Sequence, residues 1–460
     1  MPGMNYRQFY IETHGCQMNE HDTEKIRGLL LQYGFLPASG MEDADLILLN
    51  TCSVREKASH KVFSRLGELR ILKKGKPGLV IGVAGCVAQQ EGKRILKKAP
   101  HVDFVVGTHQ YHSIPDILDG LSLADRAGVP PKEPSGRIRT AFAKGPSPAE
   151  IKEIERGTPY RANITIMEGC NKKCSYCIVP YTRGREMNRP ADIILADVRE
   201  AVDQGYSEIQ LLGQTVTSYH DPTEETFSFL SLLREVSNES RIRRIRFVSP
   251  HPINFTDELI SLIAERENIC NQVHLPLQSG SDKILRKMRR LHSREWYLDL
   301  IGKFRDNGRH IALSTDIITG FPGESDQDFE ETLEVVREAR FEQMFSFKYS
   351  VRPYTEASEW EDSVPEEIKS ERLARLQELQ KNIQIEEHRK LYAGKVFEVL
   401  VEGRSRDGKL ASGRTTTNKV VNFESEEPPG AYVKVKIEKT SPNSLYGREI
   451  ITSMVQPEWS

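Results

Sequence analysis

Met-Glu-Gly-Cys-Asn-Lys-Lys-Cys-Ser-Tyr-Cys, residues 167–177, sets Cys170, Cys174 and Cys177 within eight residues, directly after the strand-like run Arg161–Met167. Thiolates packed this closely on a loop suit three irons of a four-iron cluster and leave one iron open to an outside ligand. An open iron implies chemistry and not only electron storage. A zinc site would want a fourth Cys or His at short spacing, and none follows closely. A chance grouping of buried thiols is the remaining alternative, and a second cysteine triad elsewhere in the chain weighs against it.

Outward from this loop, βα alternation runs to about Leu391, with strands predicted at Arg161–Met167, Glu208–Leu212, Ile245–Ser249, Gln272–Leu277, Ile311–Ile317 and Met344–Tyr349. Each precedes a helical stretch, which predicts a barrel or partial barrel whose active face lies at the strand C-termini. The cysteine loop follows the first strand. Leu-Leu-Gly-Gln-Thr (211–215), Ser-Pro-His-Pro (249–252), Leu-Gln-Ser-Gly-Ser (277–281) and Asp316 with Thr-Gly-Phe-Pro-Gly-Glu (319–324) fall at the same edge. Singly each reads as an ordinary polar turn. Four at one barrel mouth are stronger evidence.

The first 125 residues alternate strand and helix in the manner of a parallel α/β sheet, with strands at Gln8–Glu12, Leu46–Asn50, Leu79–Ala84 and Phe104–Val106 and helices starting near Glu20, Arg55 and Gln89. Cys16, Cys52 and Cys86 fall just past the C-terminal ends of the first three strands. In an open parallel sheet those ends share one edge, where ligands bind, so the three thiols converge in space. Helix N-termini at that edge also favour thiolates. The plainer alternative is three small buried residues at strand ends.

Pro130, Pro131, Pro134, Pro146 and Pro148 read as an extended crossing segment, which divides the chain into an N-terminal domain (6–125), a linker (126–155) and a core (156–388). After the charged amphipathic helix Pro365–Leu391, residues 391–454 turn β-rich. Val396–Glu402, Leu410–Thr416, Val420–Phe423 and Tyr432–Glu438 are broken by Asp407-Gly408, Asn418 and Pro428-Pro429-Gly430, which fits a small antiparallel barrel. Such a barrel is an RNA-binding module or a docking and stabilising one. Pro457 to Ser460 read as a frayed tail.

The 460 residues carry a net charge of −2, so no global nucleic-acid signature exists and RNA contact would need local patches such as Arg241, Arg243, Arg244 and Arg246, or Arg286 to Arg290. Neither a signal sequence nor a long apolar span is present, which predicts a cytoplasmic protein with no membrane contact. Seven cysteines in a reducing compartment are better metal ligands than disulfides where they cluster. Cys270 stands alone and reads as a structural buried thiol.

Three features in this order resemble the radical S-adenosylmethionine methylthiotransferases along nearly the whole chain: an N-terminal domain with three cluster cysteines, a radical core with C-x3-C-x2-C, and a C-terminal barrel of the TRAM type. Gly-Cys-Gln-Met-Asn-Glu (15–20), Asn-Thr-Cys-Ser-Val-Arg-Glu-Lys-Ala (50–58), the 167–177 motif and Val-Val-Asn-Phe-Glu (420–424) resemble the branch acting on isopentenylated adenosine 37 of tRNA. Branches acting on threonylcarbamoyl-adenosine tRNA or a ribosomal protein are the alternatives, and a non-catalytic iron–sulfur RNA-binding protein is the alternative of another class.

The resemblance implies two iron–sulfur clusters, a [4Fe–4S] on Cys170, Cys174 and Cys177, and another of three or four irons at rest on Cys16, Cys52 and Cys86. It further implies two S-adenosylmethionine molecules, one a methyl donor and one the source of a 5′-deoxyadenosyl radical. Tyr176 matches the aromatic position used against the adenine, and Gly213 with Gln214 resemble the turn that holds the methionine amino group. Gln278, Ser279 and Asp316 are further cosubstrate contacts on this basis. The partners implied are tRNA, a flavodoxin- or ferredoxin-type reductant, and sulfur or iron–sulfur carrier proteins, acting on a monomer.

Overall fold

The computed structural model describes residues 7–53, 56–126, 137–142 and 154–450. Strands Gln8–His14, Leu46–Thr51, Val80–Gly85 and Phe104–Val106 pair in parallel in that order. Their apolar residues alternate between two covered faces. Leu46, Leu48 and Phe104 pack with Ile26, Leu30 and Ile114, while Ile47, Leu49, Ile81 and Val83 pack with Val62, Leu66 and Leu69. Burial on both faces is why these strands read as continuous apolar runs.

The structure adds two short edge strands to the four expected. Leu36–Pro37 lies beside the first and Ile138–Arg139 beside the last. The second corrects the reading of 126–155 as carrying no element. Arg137 anchors it by donating to the carbonyls of Val102 and Asp103 at 2.6 and 2.5 Å. The linker prolines, Arg55 and the tail from Pro457 lie outside the described residues. Helices also start earlier than expected, at Gln17 and Cys86. The carbonyl of Cys16 accepts from the N–H groups of Asn19 and Glu20, which opens the first turn there.

The core strands Arg161–Thr165, Glu208–Leu212, Arg244–Phe247, Gln272–His274, Ala312–Thr319 and Gln343–Lys348 form two parallel ladders of three. A bridge between Ile245 and Ile269 joins them into a partial (βα)6 barrel. Ile164, Leu211, Ile245, Val273 and Ile317 pack outward on the helices. Their neighbours Asn163, Gln210, Arg246, His274 and Asp316 therefore turn into the lumen.

A helix over Glu366–Tyr392 leads to a closed barrel of Val396–Arg404, Ala411–Arg414, Val420–Glu424, Leu445–Glu449 and Tyr432–Thr440. The fourth in this order, Leu445–Glu449, escapes the sequence reading because only Leu445 of Leu-Tyr-Gly-Arg-Glu is buried. It pairs parallel to Val420–Glu424, so the barrel is not purely antiparallel as expected. Asn418 makes its turn in the left-handed region, φ 63°.

This small barrel closes the N-terminal end of the core. Arg161 reaches Glu208 and Glu402, and Arg246 pairs with Glu208 at 3.1 Å and donates to the Thr415 carbonyl at 2.8 Å. Arg244, fully buried, donates to the carbonyls of Arg414 and Glu398, and Arg243 stacks over Tyr432. Three of the four arginines of the first expected RNA patch are thus spent on domain docking. Arg241 is paired with Asp203 and Glu239. Lys419 of the barrel is buried against Glu342, which also accepts from Tyr392. Among the described residues, no helix is long and apolar enough to cross a membrane.

Candidate active site

One cysteine of each triad follows a glycine placed where the chain comes too close for a side chain. Gly169, before Cys170, sits at φ 77°, and a Cβ there would run into the Arg185 backbone. Gly85, before Cys86, sits at φ 89° against Asn50 and Thr51. Only glycine meets both demands, so these turns fix where the thiols emerge.

The Cys170–Cys177 loop stands over the barrel mouth. Cys170 Sγ lies 3.3 Å from Thr215 Oγ1 and accepts from Lys172 N at 3.4 Å. Arg290, nine-tenths buried, donates to Cys174 Sγ at 3.6 Å and to the Pro276 carbonyl at 2.8 Å. The Gly169 N–H donates to Gln214 Oε1. Burial pushes the Cys177 thiol up to about 12 and raises Cys170 as well, so loading a metal must expel protons.

In the N-terminal domain, Cys16, Cys52 and Cys86 meet at one sheet edge as the topology requires. Asn19 and Asn50 clamp the first two: Asn19 Nδ2 donates to Asn50 Oδ1 at 3.2 Å, and Asn50 Nδ2 donates to the Asn19 carbonyl at 2.8 Å. A hydrogen bond from Cys52, helped by the Arg183 charge, outweighs burial and lowers Cys16 to about 6. Burial raises Cys86, opposed by Arg183.

Arg183 is the residue the sequence reading missed. It belongs to the core helix Val179–Arg183, yet it is buried against Asp22 of the N-terminal domain at 2.5 Å, and Tyr111 donates to the same carboxylate at 3.0 Å. Thr108 and His109 donate to the carbonyls of Thr182 and Arg183 at 2.7 and 2.9 Å. Lys25 pairs with Glu168 at 3.3 Å. Burial would raise Glu168, but Lys25 and Arg183 overcome it and hold the carboxyl at about 2. These contacts pack the N-terminal cysteine edge, where Arg183 acts on Cys16 and Cys86, against the core segments that flank the Cys170–Cys177 loop. The available signal was Tyr-Thr-Arg-Gly (181–184) immediately after the cysteines.

The remaining expected residues separate. Tyr176 packs edge-on to Phe321 at 6.3 Å beside Ile318 and Trp360. Gly213 abuts the Met167 side chain, and a Cβ would approach it to 2.5 Å. Asp316 lies in the lumen, 3.2 Å from His274 Nε2, and Phe345 stands at 6.1 Å from that ring. Gln278 occupies a left-handed position, φ 76°, and its N–H donates to the Asp316 carbonyl at 2.8 Å. Ser279 is fully buried against Thr332, 3.4 Å away, and carries a helix contact. Cys270 is buried below the lumen, as its isolation suggested.

Several buried polar atoms in and above the lumen have no protein partner: Asn163 Oδ1, Thr165 Oγ1, Gln210 Nε2 and Arg290 Nε. Such groups are costly unless something binds them. Among the described residues, no three Cys, His, Asp or Glu side chains close on a single-ion position. Three thiols close enough to influence one another, with N–H donors aimed at two of them, suit a cluster that spreads its thiolates over several irons.

Residues 164–336 match the Radical SAM superfamily, residues 8–107 the uncharacterized protein family UPF0004, and residues 390–450 the TRAM domain. The tRNA-2-methylthio-N(6)-dimethylallyladenosine synthase of Clostridium botulinum (strain Langeland) is 44% identical over 96% of this chain and 97% of its own. That of Aquifex aeolicus is 43% identical over 96% and 98%. Among solved structures, the radical S-adenosylmethionine methyltransferase TsrM from Kitasatospora setae, with cobalamin and a [4Fe-4S] cluster bound, aligns with a TM-score of 0.54 at 14% identity, over 77% of each chain. That likeness concerns the fold alone.

Proposed function

This chain belongs to the family of tRNA-2-methylthio-N(6)-dimethylallyladenosine synthases, and we propose that it attaches a methylthio group to C2 of N6-isopentenyladenosine at position 37 of tRNA. The observation that supports this reading is the presence of two three-cysteine sites, one at the N-terminal sheet edge and one on the loop at the barrel mouth, in domains joined by the Arg183–Asp22 bridge. Three thiolates leave a cluster iron open, and two such sites provide for two different tasks.

The radical core takes a [4Fe–4S] cluster and S-adenosylmethionine, on Cys170, Cys174 and Cys177; a second cluster on Cys16, Cys52 and Cys86 completes the proposal. When bound, these groups supply a carbon radical able to take hydrogen from an unactivated aromatic C–H, the sulfur to be inserted and its methyl group. The protein's own work is placement. Arg290 and Lys172 N steady two thiolates by donating to them, and Gln214 fixes the turn before Cys170. Tyr176, Gly213, Gln278 and Asp316 border the space for the cosubstrate. Phe345 and Phe347, each 38% exposed on the lumen face of the last strand, flank the space where an extruded base would lie. Extrusion costs less from a single-stranded loop than from a helix. A flavodoxin- or ferredoxin-type protein supplies electrons, carrier proteins restore sulfur, and the enzyme works as a cytoplasmic monomer.

The test is reconstitution with iron and sulfide without oxygen, followed by S-adenosylmethionine, reductant and isopentenylated tRNA, with mass spectrometry of the digested nucleosides. A methylthio mass gain on isopentenyladenosine is expected. Deoxyadenosine without that gain would reject the substrate, and neither product from a protein with both clusters intact would reject the enzyme.

A further inference from the structure

We propose that Tyr181 and Tyr354 form a stacking platform for an unstacked loop nucleotide beside the one being modified, with Lys172, Lys173 and Arg185 holding its phosphates. This rests on the tRNA reading above and deepens it.

The two tyrosines are large side chains that the fold leaves uncovered. Tyr181 is 47% exposed and Tyr354 56%, and their ring centroids lie 6.1 Å apart with planes tilted by 33°. Neither hydroxyl makes a hydrogen bond among the described residues. Tyr181 belongs to the short helix directly after Cys177, and its neighbours Thr182 and Arg183 are buried in the domain interface. Tyr354 belongs to the loop after the last barrel strand. That loop is tied to the cysteine loop where the Ala357 N–H donates to the Ser175 carbonyl at 2.8 Å. The pair therefore stands at the rim of the mouth that a target base must enter.

Tyr354 has a second peculiarity. Its φ is 70°, in the left-handed region where glycine or asparagine is at ease and a bulky aromatic is strained. Folding alone would favour glycine here, since the ring buries little and the backbone strain is real. A strained residue with an exposed ring beside an active loop points to a binding role.

The charges nearby select the ligand. Lys172, Lys173 and Arg185 form no ion pair among the described residues, although their neighbours Arg183 and Arg289 are paired with Asp22 and Glu356. Unpaired cations beside uncovered aromatic faces are the means by which proteins hold single-stranded nucleic acid: the cations track phosphates and the rings stack bases. An acidic redox protein would use the cations and leave the rings idle, so RNA accounts for more of the surface.

Binding of the full-length protein to a labelled, isopentenylated anticodon stem-loop, followed by fluorescence anisotropy across salt concentrations, tests this. Tyr181→Ala and Tyr354→Gly should each weaken binding by about tenfold or more. Phenylalanine at either position should preserve it, because stacking uses the ring and not the hydroxyl. Tyr354→Gly relieves the left-handed strain, so its melting temperature should hold or rise while affinity falls, which separates binding from folding. Lys173→Gln and Arg185→Gln should each lower the salt slope by about one phosphate's worth. A 2-aminopurine next to the target should be quenched by wild type and not by Tyr354→Gly. Unchanged affinity in both tyrosine variants overturns the platform. Unchanged RNA affinity with lost electron delivery from flavodoxin assigns the surface to the reductant instead. Failure of the wild-type protein to bind the stem-loop overturns the tRNA reading along with it.

Discussion

At the N-terminal end of the barrel Arg161, Arg244 and Arg246 each reach a carboxylate or a carbonyl, and the small β-barrel covers them. At the C-terminal end Lys172, Lys173 and Arg185 have no ion-pair partner among the described residues, Arg290 holds its buried Nε without a partner, and aromatic rings face outward. Both ends are built from the same strands. The difference teaches that charge content alone does not locate function: a run of arginines marks docking where its partners are supplied in the chain, and only cations left without such partners are free to meet a ligand.

Removing the open end's chemistry should give the largest effect. Cys174→Ala should abolish 5′-deoxyadenosine formation and all product, and retained cosubstrate cleavage in that variant would falsify the cluster assignment. Cys52→Ala sharpens the contrast within that end. It should leave deoxyadenosine formation in place and stop methylthio transfer, and full transfer by this variant would remove the second cluster from the mechanism.

At the sealed end the expected loss is stability. Glu208 is fully buried between Arg161 and Arg246; burial opposes its charge, and the two arginines hold its carboxyl below the usual range. Glu208→Gln leaves buried Arg246 without its carboxylate and Arg161 with Glu402 alone, which should cost about 3–5 kcal/mol in denaturant unfolding. Cluster absorbance per folded molecule should stay unchanged. A stable variant with lost clusters would show that the two ends are not separable. Glu342 beside Lys419 extends the test to pH. Burial works against its charge, but Lys419, His310 and Tyr392 overcome this and lower it from 4.5 to about 2. A lowered folded value means that its contribution is full above pH 4.5 and drains as pH falls toward 2. Acid should therefore loosen the small barrel's docking, seen as earlier cleavage by an acid protease between the core and residue 395, and Glu342→Gln should abolish that pH dependence.

Much of the open end was legible in the sequence because its residues are short-range and chemically particular. Three cysteines in one loop, and three more at strand ends, need only strand order to be placed. The sealed end was not legible, since Arg246 and Thr415 meet across 169 positions, and an arginine run looks the same whether it faces RNA or a neighbouring domain. Arg183 and Asp22, 161 residues apart, were hidden for the same reason. Ile138–Arg139 and Leu445–Glu449 were missed because short strands at an edge or in a small barrel lack enough buried residues to show a period. Asn19 and Asn50 were visible inside the quoted motifs, but their pairing is a property of the folded sheet edge.

The smallest expected effect concerns whether the open end can be reached. In the metal-free protein Cys16 is exposed and lowered to about 6, whereas Cys177 is pushed up to about 12. At pH 7 a thiol titrating near 6 is about nine-tenths thiolate, against roughly one part in a hundred for one titrating near 9. Its lower basicity makes each thiolate a weaker nucleophile and returns most of that gain, so alkylation of Cys16 at pH 7 should be only a few-fold faster than that of an ordinary exposed thiol. The pH profile separates the cases better than the rate does. Labelling of Cys16 should rise through pH 6 and level off near 7, while Cys177 should resist throughout. Peptide mass mapping after iodoacetamide treatment reads both sites at once. A profile for Cys16 still climbing at pH 9 would mean that Cys52 and Arg183 do not support its thiolate, and that the N-terminal triad is assembled only when its cluster binds.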